Sequence, residues 1–80
     1  MTVRTYGEQL GAQLRARRKL LHLNQTEVAD LAGTTQRGVS HVEAGKASAV
    51  ALYGSVAAVL GLRLVALPHD QVDDQTGAAS

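Results

Sequence analysis

Residues 24–44, NQTEVADLAGTTQRGVSHVEA, decide how the rest of this chain is read. Asn24 is placed to cap a helix, and Glu27, three residues on, can return a hydrogen bond to the cap's own N–H. Val28, Leu31 and Ala32 then fall on one helical face. Gly33 stops that helix, because a closing residue in the left-handed conformation is best without a Cβ. Thr35 caps a second helix in which Val39 and Val42 face inward, leaving Gln36, Arg37, Ser40 and His41 facing out. Ala29 is small and lets the two helices cross closely. Two short helices joined by a glycine turn have the spacing of a helix-turn-helix. Outward Gln, Arg, Ser and His near the start of the second helix are what reading base edges in a major groove requires.

Working outward, Thr5 and Glu8 form a second candidate capping box, opening a helix over residues 6–22. Leu10, Leu14, Arg17 or Arg18, and Leu21 make its inward stripe, and Leu23 fills the core before Asn24. Beyond a loop at residues 44–47, Ser48 is the expected cap of a fourth helix running to about Leu60, where Gly61 ends it. Its inward side chains are drawn from Val50, Tyr53, Val56, Ala57 and Leu60. Residues 1–4 read as a frayed leader, and residues 68–80 are polar and aperiodic, which reads as disorder.

The pattern resembles the Cro and phage-repressor type helix-turn-helix family, often called the xenobiotic-response-element (XRE) family. That family's Gln, Ala and Gly at four-residue intervals stand here as Gln25, Ala29 and Gly33. Its two later apolar sites are Val39 and Val42, followed by Glu43 and Gly45. The likeness runs upstream through LGAQLRARRKLLHLNQ (residues 10–25) and downstream through GKASAVALYGSVAAVLG (residues 45–61), covering roughly residues 8–61. It implies an all-α, four-helix lambda-repressor-like DNA-binding domain over residues 5–61. It also implies that Gln25 contacts a phosphate and that Arg18 pairs with Glu43. Two positions depart from the family. Thr34 stands where Val or Ile is usual, which points to a looser turn, and Gly38 lies inside the outward-reading helix. A glycine there costs about 1 kcal/mol relative to alanine.

Composition agrees with a small DNA-binding unit. Eighty residues make one domain at most, with a modest core. There is no cysteine, so neither disulfides nor thiolate metal sites are expected. No run of 18 apolar residues and no signal peptide is seen; no membrane partner and a bacterial cytoplasmic location are the expectation. Through Pro68 the chain carries all eight Lys and Arg but only Glu8, Glu27, Asp30 and Glu43, an excess of four positive charges; Asp70, Asp73 and Asp74 follow in the tail. A basic body suits a polyanion.

Residues 62–67 break the helical pattern. Leu62, Leu64 and Ala66 alternate with Arg63, Val65 and Leu67 ahead of Pro68, which reads as a short β-strand. A lone strand cannot satisfy its own backbone, and the chain has no other strand candidate. The expected partner is the same strand of a second copy, with Leu62, Leu64, Val65 and Ala66 as dimerisation residues; a continued or fifth helix is the alternative. The ending GLRLVAL resembles HipB-like antitoxins, repressors whose C-terminal strands pair in a homodimer and which also bind a HipA-type kinase toxin.

The candidate DNA-binding residues are therefore Gln25, Thr35, Gln36, Arg37, Ser40, His41 and Lys46. Arg37 can donate twice to a guanine and Gln36 can pair with an adenine, while Ser40 and His41 lie one turn on. Lys46 fits a phosphate contact or an ordinary solvated lysine. Arg15, Arg17, Arg18 and Lys19 spread by about 100° each and cannot all face one way; Arg15 and Lys19 read first as a solvated face, with phosphate flanking as the alternative. Ser40, His41 and Glu43 look triad-like only in text, since helical neighbours diverge. His22, His41 and His69 lack metal-ligand spacing. No enzyme, metal site or cofactor is expected. The function expected is transcriptional autorepression by a homodimer on a palindromic double-stranded operator, with the antitoxin role and a HipA-like kinase toxin as partner; the alternative is a phage-type or metabolic regulator with no toxin.

Overall fold

In the computed structural model, which describes residues 5–64, each of the first three helices begins at a side-chain cap. Helix α1 is Tyr6–Leu20, α2 Gln25–Ala32, α3 Gln36–Glu43 and α4 Val50–Val59. Reciprocal capping boxes open α1 (Thr5 with Glu8) and α2 (Asn24 with Glu27). Each satisfies two backbone donors that a helix start otherwise leaves free. Gly33 closes α2 at φ 72°, the left-handed conformation. Among the described residues the fold is all helical, with no strand, and no helix is long and apolar enough to cross a membrane.

The core draws on all four helices: Leu14 from α1, Val28 and Ala29 from α2, Val39 and Val42 from α3, and Tyr53, Val56, Ala57 and Leu60 from α4 and its end. α3 packs against each of the other three. Its contact with α1 is unusually close at Gly11. A Cβ there would collide with the carbonyl oxygen of Val42 and stand 2.6 Å from that of Glu43. Gly45, at φ 73°, lies against the backbone of Glu8 from the other side. These contacts press the C-terminal end of α3 onto α1.

Several expectations need correcting. α1 ends at Leu20 rather than His22, because His22 adopts φ 60° and the chain turns there; Leu23 N–H bonds to the Arg18 carbonyl at 3.1 Å. Leu21 consequently rotates out of the inward stripe and is exposed. On α2 the buried arc is centred between Val28 and Ala29, which at about 100° per residue puts Leu31 beyond its edge, 68% exposed. Ser48 is not a cap: Ala49 occupies that position, with no side-chain bond, and the first helical residue, Val50, is exposed. Of the residues assigned to a dimerising strand, Val65 and Ala66 lie outside the described residues, as do the leader and tail. Leu62 and Leu64 are in neither strand nor helix, and Leu64 packs against its own chain's core.

Candidate nucleic-acid interface

α2, its turn and α3 form one unit. The Thr34 N–H closes α2 on the Ala29 carbonyl at 2.9 Å, and the Thr35 hydroxyl accepts from the Gly38 N–H at 3.0 Å to open α3. Val39 and Val42 are fully buried on one face of α3, and Gln36, Arg37, Ser40 and His41 are all exposed on the other. Thr35 and Lys46 are exposed at the two ends. Lys46 is held in place through its backbone, whose N–H bonds to the His41 carbonyl at 2.8 Å.

The two departures from the family pattern meet here. A Cβ at residue 38 would stand 2.6 Å from the Thr34 hydroxyl oxygen and 3.6 Å from Leu52 of α4. The glycine makes room for the threonine, so the turn is filled by a hydroxyl where an apolar side chain is usual.

Beneath α3 a polar chain ties the outward face to the interior. Arg18 donates from Nε to Glu43 Oε2 at 2.6 Å and from Nη2 to Oε1 at 3.2 Å, and from Nη1 to the Leu23 carbonyl at 2.9 Å. Both side chains of this pair are nearly buried. Glu43 Oε1 also accepts from Gln25 Nε2 at 3.0 Å, and Gln25 Oε1 accepts a long 3.4 Å bond from Gln36 Nε2. Burial pushes the Glu43 carboxyl up, but hydrogen bonds from Arg18 and Gln25 and the charges of Arg18 and Arg15 outweigh it and hold its pKa below the usual value. The carboxylate is thus spoken for, and none of its bonds involves His41.

The side chain of Gln25 is engaged at both ends within the protein, leaving its position at the positive start of α2 as the feature that favours an anion. Arg17, one alternative for the inward arginine, instead donates to the Leu60 carbonyl at 3.1 Å and clips α1 to the end of α4. The Gln25 links to Glu43 and Gln36 were not foreseen, because the partners are 18 and 11 residues apart and no local pattern joins them.

A family model described as helix-turn-helix matches residues 14–67, more than half the chain. No curated protein matches the chain. The matched stretch contains the whole α2–turn–α3 unit and the acid-base pair beneath it. The chain belongs to this helix-turn-helix family, of the Cro and phage-repressor type, and is a DNA-binding regulator of transcription.

Proposed function

We propose that the protein is a sequence-specific repressor of its own operon, binding a palindromic operator as a homodimer with α3 in the major groove. The carrying observation is the two-sidedness of α3: Val39 and Val42 have no exposed surface, while Gln36, Arg37, Ser40 and His41 all face solvent. Arg37 presents paired donors suited to guanine O6 and N7, and Gln36 an amide suited to adenine. Ser40 and His41 reach base edges or phosphates one turn along. Thr35, Lys46 and the start of α2 at Gln25 line the phosphate backbone. Two copies read half-sites about one helical turn apart, roughly 34 Å.

The test is a titration against the selected operator. Arg37→Ala is expected to weaken binding by about 1–3 kcal/mol and to relax preference at one base position. Lys46→Ala is expected to weaken all sequences alike and to lower the slope of affinity against salt by about one. An Arg37→Ala protein that binds like the wild type removes Arg37 from the reading surface.

A second role is favoured by the run Gly-Leu-Arg-Leu-Val-Ala-Leu that follows α4, which resembles the ending of HipB-like antitoxins. In this role the same repressor also holds a HipA-type kinase toxin inactive. Co-purification with the product of an adjacent kinase-like reading frame tests it; without such a frame the protein is a plain regulator.

A further inference from the structure

Where α1 meets the end of α3 runs an open groove of about 660 Å³. Ala12, Ala16 and Ala44 line it with short side chains, and Glu8, Glu43, Arg15 and Lys19 supply its charges. The two acids are already engaged. Glu8 accepts from the Thr5 N–H at 3.0 Å, and Glu43 holds Arg18 and Gln25. The two cations are not. Arg15 and Lys19 are exposed and make no hydrogen bond or ion pair among the described residues. They stand one turn apart on α1, about 6 Å along its axis.

The position of the groove decides what it meets. Gln36 and Glu43 are seven residues apart on α3, close to two full turns, so Glu43 continues the line of the outward face that carries Gln36 and Ser40. Glu43 also accepts from Gln25, in the first turn of α2, at 3.0 Å. The charge of Arg15 acts on the same carboxylate. The groove thus opens beside both surfaces proposed to meet DNA, the outward face of α3 and the start of α2. A guanidinium and an ammonium without protein partners, beside short side chains that let a backbone approach, have the chemistry of a seat for phosphodiesters.

We propose that this groove seats the sugar–phosphate backbone beside the half-site, with Arg15 and Lys19 each neutralising one phosphate. The inference rests on the proposed docking of α3 and the start of α2, and it extends that contact to α1. It assigns these two residues affinity and its salt dependence, not base preference.

The test uses the full chain, the selected operator and an unrelated duplex of equal length. Arg15→Gln and Lys19→Gln are each expected to lower the slope of log affinity against log salt by about one, on both duplexes alike. Arg15→Lys should keep the wild-type slope. Arg63→Gln removes the same charge from an exposed residue outside the groove and should change the slope less. Neutral methylphosphonates placed singly along the operator locate the contact: those that weaken the wild type but not Arg15→Gln/Lys19→Gln mark the phosphates held by the groove. Slopes that fall no further than in Arg63→Gln, or a double variant that responds to every methylphosphonate as the wild type does, would overturn the proposal. Failure of base reading by α3 shows separately, as an Arg37→Ala protein with wild-type preference for the operator over the unrelated duplex.

Discussion

Replacing Glu43 with Ala would leave Arg18 buried without its counter-ion. The guanidinium keeps its bond to the Leu23 carbonyl but loses both bonds to the carboxylate, and Gln25 loses the acceptor for its amide. An exposed ion pair contributes only about 0–1 kcal/mol. Here the two side chains are 10% and 5% exposed, and breaking a buried pair by removing one partner costs about 3–5 kcal/mol. A domain of this size has a total stability of roughly 4–12 kcal/mol. Glu43→Ala is therefore expected to consume a quarter or more of it and lower the melting temperature by at least about 12 °C, at about 4–8 °C per kcal/mol. Urea unfolding followed by far-ultraviolet circular dichroism measures the loss. A closed cycle of Arg18→Met, Glu43→Leu and the double variant Arg18→Met/Glu43→Leu isolates the coupling. The double variant should regain most of the loss, since an apolar pair of similar volume often replaces a buried ion pair without penalty. A loss under about 1 kcal/mol in Glu43→Ala, or a cycle without coupling, would refute this reasoning.

The same carboxylate sets a pH dependence. Its folded pKa lies below the ordinary value, so its stabilisation is complete above about 4.3 and is lost as pH falls through the ordinary and then the folded value; an acid titration in which Glu43→Gln is as acid-sensitive as wild type would contradict this. His22→Gly should stabilise by about 0.5–1 kcal/mol, because a non-glycine residue at φ 60° is strained and this side chain is exposed; thermal unfolding reads the gain. Gly38→Ala alone should fail to collect its helix-propensity gain of about 1 kcal/mol, whereas Thr34→Ala/Gly38→Ala should collect it. The basis is the 2.6 Å approach of the Thr34 hydroxyl, and a Gly38→Ala protein stabilised in full by itself would show that the hydroxyl swings clear.

What could be read from the chain beforehand was local. The caps at Thr5, Asn24 and Thr35 and the stop at Gly33 depend on residues within one turn of each other, and the turn chemistry specifies them directly. The two-faced character of α3 was legible for the same reason. Ser48 illustrates the limit: any serine before an apolar run looks like a cap, and only packing decides that α4 starts a residue later. Leu31 and Val50 were assigned inward by periodicity, yet which edge of an apolar arc is covered depends on where the neighbouring helices sit. Periodicity also left Arg17 and Arg18 as equal alternatives, and the choice was made by Glu43, 25 residues away. Gly38 looked like a weakness in the helix because the Thr34 hydroxyl that crowds it, although only four residues back, is set there by a side-chain rotamer that no sequence pattern specifies.

The bond from Gln36 to Gln25 bears on any attempt to retarget the protein to a new operator. If α3 reads the operator as proposed, position 36 is the natural place to exchange one base preference for another, but its amide is not a free variable, because the oxygen it meets belongs to a side chain anchored on Glu43. Substituting an acidic residue there would set a carboxylate against the Gln25 oxygen, and an aliphatic one would leave that oxygen without its donor. Recoding is therefore a two-site problem. Libraries that vary residues 25 and 36 together have access to specificities that libraries confined to α3 do not.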